Sequence, residues 1–466
     1  MNIDFKLTPN DLQAKLEDLW GHSARKIHLI RKEFDTTKGS PVFTENGKYT
    51  TRGWTDWTQG FQFGSEILQF DATGERVFLD MGRRATLNLM APHITHTGVH
   101  DHGFNNVSTY GALRRLLVEG KMESEKWEHA FYDLALKSTG SVQAIRWTPI
   151  SGEEGFIHSF NGPHSLFVDT IRTVRALALA YKLGHVLFGE NDGKISLLGR
   201  LIYHAKATAE YNIYYGEGRD SYDIRGRTAH EAVFNIKNGQ FRCPNSQQGY
   251  SPFSTWTRGL AWAMCGFSEQ LEFLKIVDDS SLDPFGGRET IEAMMLKAAR
   301  AACDFYIQHT SKDGIPYWDT GAPNLYKLGD YTKTDADPWN EYEPVDSSAA
   351  AIAAQGLLRM GRYLESSEDH DASDAARYWQ AGLTVAGTLF DEPYLSTEDN
   401  HQGLLLHSVY HRPNGWDYIP QSRKIPCGES SMWGDYHLRE VALYLTRMIH
   451  GEPYYTFFNG IEEGLK

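Results

Sequence analysis

The sequence predicts an all-α fold, an (α/α)6 toroid of six helical hairpins closed into a barrel, with a few short strands in its loops. Three observations lead there. Apolar residues recur at helical spacing through most of the 466 residues, as Leu12, Leu16, Leu19 and Ile27 do near the start. Polar, aromatic-rich loops precede every second helical segment. No Pro/Gly/Ser linker, low-complexity tract or composition break divides the chain, so residues 1–466 read as one domain.

The periodicity predicts helices over 10–31, 58–70, 73–91, 105–118, 122–138, 165–185, 195–212, 255–274, 288–309, 347–362, 372–389 and 431–448. Short strands are expected near 143–149 and 231–242, the latter a hairpin about Lys237-Asn238-Gly239. The alternating loops are Trp54-Thr55-Asp56-Trp57, His100-Asp101-His102-Gly103-Phe104, Asn161-Gly162-Pro163-His164, Gln248 to Trp256, Glu343 to Ser348, and Glu429 to Asp435. If alternate helices form an inner ring they run parallel, and their N-terminal loops converge on one cleft. Helix N-termini there offer free N–H groups and positive dipole ends, which suit a substrate carboxylate.

Composition narrows the function. A hydrophobic content of 41% allows a large core and excludes disorder. A net charge of −14 makes nucleic acid and anionic membranes poor partners, so an acidic substrate must be captured by local groups. Cys243, Cys265, Cys303 and Cys427 form no CxxC, which signals neither a zinc site nor a disulfide framework. The polar start lacks a signal-like apolar stretch and no apolar run reaches membrane-spanning length. The expectation is a cytoplasmic protein, periplasmic if a leader has been removed. No P-loop, GxGxxG unit, HExxH or nucleophile elbow appears, and no metal or organic cofactor is implied.

Asp101 reads either as a helix cap or as a functional carboxylate beside two histidines. Asp169 falls inside the predicted 165–185 helix, off the stripe made by Phe167, Ile171, Val174 and Ala178. On an inner helix it would face the cavity, and apolar neighbours with a second carboxylate would raise its pKa, as a general acid requires. His230 alone is more often a structural than a functional histidine. The segment from Gln248 through Trp256 and Arg258 to Trp262 combines amide, aromatic and guanidinium groups, the mixture that sugar rings, hydroxyls and carboxylates call for.

These motifs resemble, in order along residues 50 to 445, those of glycoside hydrolase family 88, the unsaturated glucuronyl hydrolases. Gln248-Gly249-Tyr250-Ser251 with Ser254-Thr255-Trp256-Thr257-Arg258-Gly259-Leu260-Ala261-Trp262 matches the family's QGYSxxSTWxRGxAW signature, and Asp101 its HDxGF motif. Asp169 in Leu166-Phe167-Val168-Asp169-Thr170 matches its second carboxylate, and His230 falls at its active-site histidine. Asp346-Ser347-Ser348, His407 to His411 and Ser430 to Tyr436 resemble its later segments. Two positions depart: His102 stands where an apolar residue is usual, and Gln62 where a Trp is typical.

The resemblance implies removal of a terminal 4,5-unsaturated uronic acid from lyase-generated oligosaccharides by hydration of the C4=C5 enol ether. Asp169 would be acid and base, with Asp101 positioning the ring and tuning it. His100, His230, Gln248 and Arg258 would hold hydroxyls and carboxylate, Arg258 by a bidentate pair. Trp57, Trp256 and Trp262 would supply apolar walls, with Tyr410 and Ser431 as further contacts. A β-glucuronidase using the same carboxylate pair, a sugar epimerase and a non-catalytic glycan-binding protein are the rival readings.

Overall fold

Each predicted helical segment is present in the computed structural model, which describes residues 1–52, 56–123, 125–367 and 372–461. Trp54 and Thr55 of the first predicted loop lie outside the described residues. The inner helices are Gln59–Thr73, His102–Asn106 running through a π turn into Ala112–Val118, Thr170–Thr173 with Arg175–Lys182, Thr257–Leu274, Ser347–Glu365 and Met432–Ile449. The outer helices are Gln13–Glu33, Arg76–Leu89, Lys126–Ile145, Leu197–Tyr211, Gly287–His309 and Ala372–Leu389. Each inner helix packs on the next, and the last packs on the first, so the ring closes.

Burial separates the two rings. Every residue of Thr257–Leu274 is buried, because an inner helix meets protein on all sides. Gln13–Glu33 buries one stripe, Leu16, Leu19, Trp20, Ser23, Lys26, Ile27 and Ile30. One hydrophobic cluster runs from Leu12 to Ile461. The ring is sealed where Trp57 stacks on Trp433 at 5.0 Å between ring centroids and the Thr44 N–H donates to the Ser430 carbonyl at 2.9 Å.

The strands correct two expectations. Residues 165–167 form a β-strand, not a helical turn, and pair antiparallel with Glu231–Phe234, which pairs with Phe241–Asn245 as the predicted hairpin. A run as short as Ser165-Leu166-Phe167-Val168 carries no period of its own, and its partner decides. The helix therefore begins at Thr170, and Asp169 is its N-cap residue. Likewise, residues 143–145 complete the Lys126–Ile145 helix, and the strand there is Trp147–Ser151.

Deeper along the axis the inner helices meet through charge. Arg172 donates through Nε and Nη2 to Glu269, both at 3.1 Å, and through Nη2 to Glu440 at 2.7 Å and Gln355 at 3.0 Å. Its Nη1 meets His437. Arg359 donates to Glu272 at 2.7 Å. All of these side chains are buried. No described helix is long and apolar enough to cross a membrane.

Candidate functional site

The N-terminal ends of the inner helices surround a cavity of about 720 Å³. At its floor lie Asp101 and Asp169, both N-cap residues of inner helices, and neither side chain caps its own helix. Contrast Asp346, whose carboxylate accepts from the Ser348 and Ala349 N–H groups, and Ser431, whose Oγ accepts from the Gly434 N–H. An aspartate at an N-cap normally satisfies the helix end. Here both carboxylates turn toward His100 instead.

His100 Nε2 donates to Asp169 Oδ2 at 3.3 Å and lies 3.7 Å from Asp101 Oδ1. All three residues are buried. Local structure fixes this arrangement. The Val168 N–H donates to the His230 carbonyl at 2.9 Å, which carries the strand up to Asp169. Gln143 Nε2 donates to the His100 carbonyl at 2.8 Å and to Thr173 Oγ1 at 2.7 Å, tying the two loops together. Gly103 lets them approach, since a Cβ there would lie 2.1 Å from the Thr173 carbonyl oxygen. His102, one of the two departures, is buried against the same loop: it donates from Nε2 to the His96 carbonyl at 2.9 Å and accepts at Nδ1 from Thr139 Oγ1 at 2.6 Å.

The electrostatics reverse the expectation for the two acids. Burial, and then the Asp169 charge, push the Asp101 carboxyl up against the pull of His100. Burial also pushes on Asp169, but the His100 hydrogen bond, the His100 charge and His230 outweigh it, and its pKa lies below the ordinary value. The two carboxylates hold the His100 pKa above its ordinary value although burial opposes them. The His100 contact thus favours the charged imidazole and the ionised form of Asp169 together. Asp169 Oδ1 and His100 Nδ1 have no hydrogen-bond partner among the described residues. One donor atom from each of His100, Asp101 and Asp169 lies within 4.8 Å of the others, so this group could also close on a cation.

Of the residues singled out in the sequence, Trp57, His100, Asp101, Asp169, Gln248, Trp256, Arg258, Trp262 and Tyr410 line the cavity. Three roles change. The four Nη hydrogens of Arg258 are matched by four acceptors: Asp346 Oδ2 (2.8 Å) and the Val409 carbonyl (2.6 Å) on Nη1, Gln248 Oε1 (3.2 Å) and the Tyr410 carbonyl (2.8 Å) on Nη2. Stacked on Trp256 and Trp433 as well, it braces the wall and has no free fork for a bidentate pair. His230 sits behind the wall, between Phe167 (4.3 Å) and Trp256 (4.9 Å), with Nδ1 accepting from the Gln247 N–H at 3.0 Å. Burial pushes its pKa down to about 4, so it is neutral. Ser431 is buried in its capping bond and does not reach the cavity.

Sequence reasoning missed His96, Phe160, Gln247, His411, Asn414 and Trp416, which line the outer part of the cavity. The turn residues of His411-Arg412-Pro413-Asn414-Gly415-Trp416 were the available signal for the last three.

No family model matches the chain. Individual proteins do. The chain is 25% identical over 449 residues to the unsaturated glucuronyl hydrolase of Bacillus sp. (strain GL1), covering 95% of this chain and 98% of that protein. It is 24% identical over 427 residues to the unsaturated chondroitin disaccharide hydrolase of Streptococcus pyogenes serotype M1, covering 90% and 88%. Among solved structures, an aspartate-to-asparagine variant of a UGL with dGlcA-Glc-Rha-Glc superposes with a TM-score of 0.69 at 21% identity, over 95% of this chain and 98% of that one. The resemblance carried by the motifs thus extends over nearly the whole chain, and the α/α-toroid fold is shared.

Proposed function

We propose that this protein is a single-domain glycoside hydrolase that removes a terminal 4,5-unsaturated uronic acid from lyase-generated oligosaccharides, by hydrating the C4=C5 double bond. The observation that carries the reading is His100 bridging two uncapped N-cap aspartates at the floor of an aromatic-lined cavity. The similarity to unsaturated glucuronyl hydrolases over most of the chain supports it.

The proton inventory of the floor sets the order of steps. The substrate expels water, and a dry cavity favours two neutral groups over an ion pair. The His100 proton then moves along its hydrogen bond to Asp169 Oδ2. Asp169 gives this proton to C4, the C4=C5 electron pair forms the new C–H bond, and positive charge develops at C5, shared with the ring oxygen. Water adds at C5 and returns a proton to the Asp169 carboxylate. The resulting hemiketal opens to a ketone at C5 and a hemiacetal at C1, and the hemiacetal collapses to the aldehyde as it releases the remaining sugar as an alcohol. Asp101, whose carboxyl burial pushes up, faces the same imidazole and positions ring hydroxyls. Gln248 and the indole N–H of Trp256, which has no partner among the described residues, are the neutral donors left to the uronate once Arg258 is committed.

The two carboxylates lie too close for an inverting displacement, which requires roughly 6.5–9.5 Å between them. Four unpaired thiols fit a reducing cytoplasm.

The test is loss of the conjugated-enol absorbance of lyase-generated unsaturated disaccharides, alongside a saturated aryl glucuronide. Asp169→Asn keeps the shape and lacks the proton, so its rate should fall about 10²–10⁴-fold with binding retained. A variant that keeps a tenth of the activity overturns the role of Asp169. Release of the aryl group with no enol loss moves the protein to ordinary glucuronide hydrolysis.

A further inference from the structure

Resting on that reading, we propose that Arg146 is a positioning residue: it ties together two loops that frame the cavity and supplies, from behind the floor, the positive charge that an anionic substrate requires. The outer helix Lys126–Ile145 and its C-cap residue carry buried polar side chains at 139, 143 and 146, a spacing that puts them on one helix face. Thr139 Oγ1 donates to His102 Nδ1 at 2.6 Å and accepts from Asn106 Nδ2 at 2.7 Å. Gln143 holds the His100 carbonyl and Thr173. Arg146 donates from Nε to the His158 carbonyl at 3.0 Å, from Nη2 to the Ser159 carbonyl at 2.6 Å and from Nη1 to the Thr97 carbonyl. Thr97 leads into Gly98, Val99, His100 and Asp101, and Ser159 into Phe160, all of them in the cavity lining. One guanidinium thus joins the two loops.

All of these acceptors are backbone carbonyls, and no carboxylate among the described residues pairs with Arg146. Arg172, Arg258 and Arg359 are buried too, but each contacts a carboxylate: Glu440 at 2.7 Å, Asp346 at 2.8 Å and Glu272 at 2.7 Å. A guanidinium keeps its proton when buried. Burial lowers the Arg146 pKa and the Asp101 charge pulls it back. A charge with no contact partner acts across the interior, where it is weakly screened. Behind burial and their contacts with each other and Asp169, both Asp101 and His100 respond to it.

The floor requires such a charge. Asp101 and Asp169 bring two carboxylates, and a uronate brings a third. Arg258 in the lining has its four Nη hydrogens matched. His411 is pushed down to about 4 by burial and then by Arg258, so it is neutral near pH 7. His100 is already shared between the two aspartates. Gln248 and the Trp256 indole can donate to a uronate but bring no charge. Arg146 offsets the excess from behind the wall, in a chain whose net charge of −14 repels anions at long range. Because it touches backbone carbonyls alone, its charge is not consumed by a neighbour before the substrate arrives.

The experiment separates charge from shape. In the Asp169→Asn background, which binds without turnover, calorimetry titrates an unsaturated disaccharide and the methyl ester of its uronic acid. Arg146→Gln should weaken the charged compound about tenfold and the ester less than about threefold, the order expected of one buried charge. Retained ester binding shows that the cavity has formed. Arg146→Met gives the same comparison if the glutamine variant folds poorly. Arg146→Lys keeps the charge without the fork, and should return the acid-to-ester ratio to that of the parent. With Asp169 intact, the lysine variant should still lower kcat more than it raises KM, because three carbonyls lose their common donor; an unchanged kcat would overturn the tie between the loops. Equal losses for acid and ester, or a lysine variant as poor for the acid as the glutamine one, would overturn the role of the charge. Enol loss by the wild type, measured alongside, keeps the hydrolase reading intact in either case. A wild type that consumes no enol would overturn both.

Discussion

The inner helices carry two sets of buried charge a few residues apart, and they are built oppositely. Asp169 at the cavity floor keeps one oxygen without a partner among the described residues, whereas Arg172, three residues on, spans Glu269, Glu440, Gln355 and His437. At the axis charge is neutralised where it stands and fixes how the helices sit. At the floor, one imidazole shared by two carboxylates leaves a proton movable. A buried ionisable group with many fixed partners is an anchor, and one with few and shared partners is available for chemistry.

The largest effects should fall on opposite observables. Arg172→Met leaves Glu269 and Glu440 without their main partner and should cost about 3–5 kcal/mol of stability. Thermal unfolding reads this as a large drop in Tm, whereas Asp169→Asn should lower turnover about 10²–10⁴-fold with a much smaller change in Tm. If the two variants lost the same observable, the contrast between axis and floor would be gone. Gly103→Ala comes next. Its Cβ meets the Thr173 carbonyl oxygen at 2.1 Å and must push the Asp101 loop away from Asp169. A displacement on that scale can cost on the order of 10²-fold in kcat, with KM less affected.

The pH dependence sharpens the floor's side of the comparison. Activity needs the proton on His100, whose pKa lies above 6.5, so kcat/KM should fall as pH rises through that value. His100→Gln should remove this alkaline limb as well as slow the reaction. The stability linkage has two signs. The raised His100 contributes fully below its unfolded pKa of about 6.5, and the contribution is lost as pH climbs through the folded one. The depressed Asp169 contributes above its unfolded pKa of about 3.9, and that is lost as pH falls through the folded one. The pair therefore stabilises most between about pH 4 and 6.5. The smallest effect is Ser431→Ala, which should cost about 1 kcal/mol through the lost cap and leave KM unchanged. A raised KM would return Ser431 to the site.

Much of this was legible in the residues. Alternation of aromatic loops along the chain placed the inner ring and its open end, because loop chemistry is local. Asp101 and the Gln248 to Trp262 segment were singled out for the same reason, and Asp169 because it falls off the apolar stripe of its predicted helix; all of them reach the cavity. The role of Arg258 was not legible, since its acceptors Asp346, Val409 and Tyr410 stand 88, 151 and 152 residues away. The depressed pKa of Asp169 was missed because it depends on a hydrogen bond from His100, 69 residues earlier. Nor was its N-cap position visible, because the strand before it takes its conformation from residues 231–233.

Ring closure has a consequence for how the protein is made. The wall at Trp57 is held by Trp433, and Tyr49 reaches Asp435 across 386 residues. During synthesis the first helical hairpins leave the ribosome long before the residues that complete the barrel. A nascent chain lacking its last inner helix has Asp101, His100 and Asp169 but no finished cavity around them. Activity should therefore appear in one step near the end of translation, and a chain cut short before Met432 should contribute none.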